Sequence, residues 1–433
     1  MFQFSERNLI RRMARAPLHW HIHIVLWSAA IAAGLMVVSF TILTDYALAG
    51  FAYLYSNWSW LPFIITPIIG MLVVWIITRF LPNVEGSGIP QVIAAAQLAD
   101  AKRPVSKLLS IRISLSKICL VSLGLLGGFS TGREGPAVQI AAGIIHTAHR
   151  HFPNGRFIKE SSLILAGGAA GLAAAFNAPL AGIIFAIEEL GKGQDARING
   201  TLISCIILSG IVAIGVLGNY TYFGELKIPQ LGIHILLPIL VCGVTCGILG
   251  GIFTRILLLP QNHPNWFIWQ WRKRYPIYFA GLCGLVIAYL GWFSDGTSFG
   301  SGYAVTANAL GAGDPMPWHM VITKILATIV TCFSGITGGL FAPALAIGAG
   351  IGFDVSTLWG VEFLLHPIVA LCMTGFMAAS TQAPLTSAII VMEMTNDHGL
   401  IISLMTVALI AKTIASAFAP EFYHQNAKVY HDQ

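Results

Sequence analysis

One carboxylate, Glu134, sits inside Gly132-Arg133-Glu134-Gly135-Pro136, between stretches that hold almost no charge. An acid at membrane depth is costly, so an ionisable side chain there is a functional candidate. Pro136 predicts a helix start, because a proline in the first helical turn gives up an N–H that has no intrahelical partner anyway. The acid then lies beside unpaired amides and the positive end of a helix dipole, where an anion also binds. A side chain that competes with an anion for one place, and that a proton can neutralise, has the chemistry of a gate.

Two further segments repeat this glycine-rich approach followed by proline: Gly86-Ser87-Gly88-Ile89-Pro90 and Gly338-Gly339-Leu340-Phe341-Ala342-Pro343. Glycine lets backbone amides come close to a bound ion, and converging helix starts offer partial positive charge without a full cation. Such a site selects an anion yet releases it. Ser87 adds a hydroxyl donor. Taken singly, each segment also reads as a kink or a close-packing point between membrane helices.

The elements that must hold these groups are membrane helices. The chain is 56% hydrophobic and 10% charged, with a mean hydropathy of +0.76; soluble domains carry roughly a quarter charged residues. No Asp, Glu, Lys or Arg occurs in 46–78, 161–187, 228–254, 275–294, 325–353 or 363–392. Each window matches or exceeds the roughly 20 apolar residues that cross a bilayer. Several contain Gly and Pro, as in Gly167-Gly168-Ala169-Ala170-Gly171, which suits helices broken where protein or water satisfies the backbone. The expected fold class is an all-α polytopic membrane protein, one transport domain over 1–433.

The chain also repeats itself. Gly86-Ser87-Gly88 returns as Gly300-Ser301-Gly302 at an offset of 214, and Gly132 with Pro136 as Gly339 with Pro343 at 207. Ala178-Pro179-Leu180 with Glu188 returns as Ala383-Pro384-Leu385 with Glu393 at 205. Two halves, approximately 24–218 and 230–420, are expected, with substrate held between them near the midplane. The spacing leaves parallel and inverted repeats equally open. No soluble regulatory domain is expected, since only a short polar tail follows the apolar segment 399–418.

A formal charge of +6 does not imply nucleic acid here. Arg7, Arg11, Arg12 and Arg15 precede a first span near 24–43 and predict a cytoplasmic N-terminus. That span is too long, and its lead too charged, for a cleaved signal peptide. The seven cysteines lie mostly in apolar stretches and read as packing residues. Cys242 and Cys246 share a helical face, but no second pair or histidine cluster accompanies them, so neither a metal nor a cofactor is expected.

On these segments the chain resembles the CLC chloride channel and transporter family, whose three signature segments occur here in order. The resemblance covers nearly the whole length and implies two inverted repeats with tilted and re-entrant helices. It also implies a homodimer with one pathway per subunit in an inner membrane, moving chloride and protons. Ser87 matches the family's anion-coordinating serine, Leu340 and Phe341 the residues whose amides face the anion, and Glu134 the external gating glutamate. Gly86, Gly88, Ile89, Pro90, Gly132, Arg133, Gly135, Pro136 and Gly339 would supply the backbone around the anion. Tyr423 resembles the tyrosine that completes the site, with Tyr430 as a rival and an interfacial aromatic as the plain reading.

Glu189 ends the run 177–189 and matches the internal glutamate of the family's proton-coupled exchangers, which channels usually replace. The expected activity is therefore proton-coupled chloride antiport, with a passive chloride channel of the same fold as the alternative. Taken alone, adjacent Glu188 and Glu189 also read as the mark of a helix leaving the membrane. Serine at position 87 resembles chloride-preferring members, and Pro136 argues against the fluoride exporters.

One departure stands out: several relatives carry acids just after the first proline, where this chain has Gln91, Val92 and Ile93. Lys117, which matches a basic residue in relatives, then lacks those acids and reads equally as a snorkelling lysine. Glu393 reads as a helix-capping acid. An enzyme is not expected: Gly300-Ser301-Gly302 has no paired histidine on a neighbouring span, and no His-Glu-x-x-His occurs.

Overall fold

The computed structural model describes residues 6–151, 158–192, 200–218, 223, 235–312, 316–360 and 364–431, with side chains from Trp20 onward. The Arg7 to Arg15 cluster and the turns at 154–155 and 313–315 lie outside the described side chains. The first half comprises α1 (Glu6–Asn57), α2 (Pro62–Phe80), α3 (Ile89–Asp100), α4 (Ile111–Leu126), α5 (Glu134–Ala148), α6 (Glu160–Phe176), α7 (Pro179–Phe185) and α8 (Gly200–Leu217). The second comprises α9 (Leu236–Leu257), α10 (Leu259–Asn262), α11 (Phe267–Arg274), α12 (Pro276–Phe293), α13 (Tyr303–Ala312), α14 (His319–Ser334) and α15 (Phe341–Trp359). It continues through α16 (Leu365–Thr381), α17 (Pro384–Thr395) and α18 (Ile401–Ser416), and a short α19 (Phe422–Ala427) follows.

Four of the six charge-free windows are not single spans. The window 46–78 holds the end of α1 and most of α2; 161–187 holds α6 and α7; 325–353 joins α14 to α15; 363–392 holds α16 and α17. The chain turns inside two of these windows at Asn177 and Gln382, which end α6 and α16 in the left-handed region at φ 57° and 61°. Both residues tolerate that region better than a β-branched side chain, and a proline two residues on starts the next helix. Six helices are long and apolar enough to cross a membrane among the described residues. The span in α1, Trp20–Asn57, has 38 residues. At 1.5 Å per residue it measures roughly 57 Å against a hydrocarbon core of about 30 Å, so it is tilted or overruns the core.

The repeat is inverted. Mates α7 and α17 pack antiparallel: Glu188, just after α7, accepts hydrogen bonds from the N–H groups of Leu385 (2.9 Å) and Thr386 (2.6 Å) at the start of α17. Glu393, near the end of α17, accepts from the N–H groups of Leu180 (3.2 Å) and Ala181 (2.7 Å) at the start of α7. Repeat mates that cap each other head to tail are related by a two-fold axis that turns one half over. The same axis passes between Gly132 and Gly339, mates that exchange two backbone bonds of 2.8 Å each. Glu188→Ala and Glu393→Ala are each expected to lower the melting temperature in detergent by similar amounts, since each deletes a cap of about 1 kcal/mol. Thermal unfolding checks this: a loss for one variant alone contradicts equivalent roles.

Small residues let the central helices approach closely. A Cβ on Gly167 would lie 2.8 Å from Ala142 Cα of α5, and one on Gly352 would lie 2.6 Å from Val369 Cα of α16. These contacts bury α5, α6, α15 and α16 at the centre, and α15 is the most enclosed of the candidate spans. Elsewhere, apolar stripes stay exposed, as with Ile64, Ile68, Leu72 and Trp75 on α2. A stripe at helical spacing on a span is the face that lipid covers.

Candidate functional site

Three loops are tied together where three buried helices begin. Gly86 donates to Ile336 O at 3.1 Å, and Gly338 donates back to Gly86 O at 3.1 Å. Gly132 and Gly339 form the two-fold bridge, and the Thr337 hydroxyl donates to Val84 O at 3.1 Å. The starts of α3, α5 and α15 therefore meet, and none of the three carries a side-chain cap. Each N-terminus presents roughly half a positive charge on its unpaired amides. Gly88 caps α3 at φ 103°, a conformation glycine adopts freely; a Cβ there would also press Gly135 O at 3.0 Å.

Glu134 is the first residue of α5 and is fully buried. Its Oε1 accepts a hydrogen bond of 2.9 Å from the Tyr303 hydroxyl, and the Ala342 N–H at the start of α15 faces the carboxylate. The preceding residue, Arg133, turns the other way. Its guanidinium donates to Thr41 O at 3.2 Å and Thr44 Oγ1 at 3.1 Å and pairs with Asp45, all on α1. The acid thus stays next to amides while the adjacent cation is engaged elsewhere.

Ser87 Oγ and the Tyr423 hydroxyl are both buried and have no hydrogen-bond partner among the described residues. They are polar neighbours, and the Tyr423 phenol lies within electrostatic reach of both Glu134 and Glu189. Phe341, the first residue of α15, packs its ring 5.9 Å from that of Tyr423, 5.8 Å from Phe176 and 6.1 Å from Phe185, between centroids. Leu340 is the residue on which α15 starts. Two buried donors that protein leaves unpaired, beside three uncapped helix starts, fit a small anion.

Directly after Phe185, α7 ends in a π-turn, Ala186–Leu190, a feature common at functional sites. Its two acids diverge. Glu188 reaches α17, whereas Glu189 is buried, with Oε1 3.8 Å from Nε2 of His424. The same imidazole nitrogen lies 3.1 Å from the Glu189 carbonyl. Burial lowers the proton affinity of His424, while the Glu189 carbonyl acts in the opposite direction. Lys192 and Glu421 form an ion pair beside it.

The profile of the voltage-gated chloride channel family matches residues 69–416. The chain belongs to this family, the CLC proteins. It is 33% identical over 381 residues to the H(+)/Cl(-) exchange transporter ClcA of Yersinia pestis, covering 82% of this chain and 74% of that protein. It is 31% identical over 369 residues to the transporter of the same name from Vibrio cholerae, covering 80% and 74%. A slow cyanobacterial Cl-/H+ antiporter has the same fold, with a TM-score of 0.82 at 22% identity over 95% of this chain and 98% of that one. A CLC-type fluoride/proton antiporter follows at 0.74 and 23%, over 97% and 98%.

Within this CLC chain, Tyr423 and Tyr430 occupy different places. Tyr423 lies at the helix starts, whereas the Tyr430 hydroxyl accepts from Gln91 Nε2 at 3.0 Å. The same Gln91 nitrogen donates to Glu85 O at 2.7 Å, so this amide serves as a loop brace. Lys117 does not snorkel: it is fully buried and donates to Val84 O at 3.1 Å. Lys324, which follows Lys117 at the offset of 207 that separates Gly132 from Gly339, is equally buried and donates to Ser298 O, Phe299 O and Gly300 O at 3.0, 3.2 and 2.7 Å. Each lysine clamps the loop ahead of a Gly-Ser-Gly segment. Sequence reasoning missed Tyr303, His424 and Asp45; the first follows the second Gly-Ser-Gly and the second follows Tyr423, and only those positions hinted at them.

Proposed function

We propose that this CLC protein exchanges chloride for protons across a membrane. Glu134, when ionised, occupies the anion's place at the helix starts; when protonated, it leaves that place to chloride. The observation that carries this reading is the buried Glu134 carboxylate facing the start of α15, where Ser87 and Tyr423 also bring buried hydroxyls without a partner among the described residues. Chloride is the substrate, held by Ser87, Tyr423 and the N–H groups of Leu340 and Phe341. The chain around Gly86, Gly88, Ile89, Pro90, Gly132, Gly135, Pro136 and Gly339 shapes the amide wall, and Arg133 anchors it to α1.

Glu189 takes protons from the cytoplasmic side. Its nearness to His424, and that of Tyr423 to Glu134, supports a route between the two acids along α19. The relatives named as H(+)/Cl(-) exchange transporters support coupling over passive conduction. The same reading has the protein in an inner membrane with a cytoplasmic N-terminus, which the Arg7, Arg11, Arg12 and Arg15 cluster supports. All of these site residues come from one chain, in keeping with a homodimer that has one pathway per subunit. Ser87 and Pro136 favour chloride over fluoride, and neither cofactor nor catalytic chemistry is needed.

The test is reconstitution in liposomes under a chloride gradient, with pH recorded. Chloride movement should drive protons uphill; chloride movement without proton movement would make the protein a passive channel. Gly135→Ala examines the packing of the site. The new Cβ would press on Ser87 Oγ and lie 3.1 Å from Ser87 O and 3.3 Å from Gly339 Cα. Overpacking of this kind costs about 1–3 kcal/mol, so chloride flux is expected to fall roughly tenfold or more. Initial efflux rates decide this, and a wild-type rate would mean the helix starts need not meet this closely.

A further inference from the structure

We propose that Tyr303 is the latch of the gate: its hydroxyl holds the Glu134 carboxylate in the amide-lined pocket and so sets how acidic the medium must be before the pathway opens. The proposal deepens the reading of Glu134 as the acid that competes with chloride, and it rests on that reading.

The latch comes from the second copy of a duplicated motif. Gly300 and Gly302 repeat the backbone of Gly86 and Gly88, with φ of 62° and 89° against 69° and 103°. The copies have since diverged. In the first, Ser87 Oγ has no partner among the described residues and the helix opens with buried Ile89. In the second, Ser301 Oγ accepts from the Tyr303 N–H at 3.4 Å, and the helix opens with Tyr303 instead. The duplication thus delivers a hydroxyl to the site from each half by different means: from the serine itself in one, from the residue two positions on in the other.

Tyr303 is held where it can act. Lys324 gathers the carbonyls of Ser298, Phe299 and Gly300, which fixes the loop that leads into α13. The Tyr303 ring packs against Phe223 at 5.7 Å between centroids. Glu134 is fully buried while Tyr303 is only partly so, and the hydroxyl donates to Oε1 at 2.9 Å. The other groups around this carboxylate are Arg133, already paired with Asp45 of α1, the Ala342 amide of α15 and the Tyr423 phenol of α19. Lys324 of α14 lies behind the loop and is engaged by its three carbonyls. Tyr303 is therefore the side-chain donor to the acid among the described residues, and a hydrogen bond of this type favours the ionised form.

Tyr303→Phe removes the hydroxyl and keeps the ring on Phe223. Chloride efflux from liposomes is measured across external pH for the wild-type chain, Tyr303→Phe, Glu134→Gln and the double variant. The midpoint for Tyr303→Phe should move to higher pH by about one to two units, the equivalent of one hydrogen bond to a charged group. On the Glu134→Gln background the same substitution should change nothing in an already flat curve. A midpoint that coincides with wild type overturns the latch while leaving the gate intact. A shift that persists without the Glu134 carboxylate also overturns it, because the hydroxyl would then act elsewhere. A flat wild-type curve overturns both the latch and the gate.

Discussion

Glu134→Gln is expected to stop proton transport while chloride still crosses. Glutamine keeps the length of the side chain and an oxygen for the Tyr303 hydroxyl, so the fold is not at risk. It carries no negative charge to hold against the amides of α15, and it cannot take up and deliver a proton. Proton flux driven by a chloride gradient should fall at least about a hundredfold, the scale of losing a positioned proton-transfer group. The pH dependence of chloride efflux gives the second readout. In the wild-type chain acid should speed efflux, because a protonated Glu134 no longer competes with chloride. In the variant the curve should be flat and lie near the acid limit of the wild type. Residual uphill proton movement in Glu134→Gln would remove this side chain from the coupling mechanism.

Glu189→Gln should also uncouple the two ions, but with a different signature. Glu189 is buried beside the His424 imidazole, and of the residues proposed to hold chloride, Ser87, Leu340 and Phe341 lie at the starts of α3 and α15, with Tyr423 alone next to His424 on α19. Chloride efflux should therefore continue, while proton flux falls by about the same factor as in Glu134→Gln. Efflux should keep its dependence on external pH, because protons still reach Glu134 from outside. Simultaneous recording of chloride and pH separates the two variants: both lose coupling, and only Glu134→Gln loses the acid response. Unchanged coupling in Glu189→Gln would mean that protons enter by another group.

Much of the architecture was legible in local features. Charge-free windows revealed the membrane helices because a charge in hydrocarbon is costly whatever the tertiary fold. The three Gly and Pro segments marked helix starts because proline and glycine act on their own backbone. Less legible were the breaks inside the windows. Asn177 and Gln382 turn the chain in apolar surroundings, and no charge marks the turn. Lys117 stayed open between two readings for a related reason: its place on a helix was readable, whereas the Val84 carbonyl that receives it comes from a loop 33 residues earlier.

The residues alone determined a duplicated, helical, membrane-spanning chain with an acid at a helix start and a second acid at the end of another, since spacing, charge and backbone preference are local properties. Tertiary structure decided the rest. It turned one half over against the other, brought Tyr423 rather than Tyr430 to the helix starts, and joined Tyr303 to Glu134 and His424 to Glu189 across 169 and 235 residues. Such contacts depend on how helices from both halves pack around one two-fold axis, and no local preference of either partner encodes that meeting.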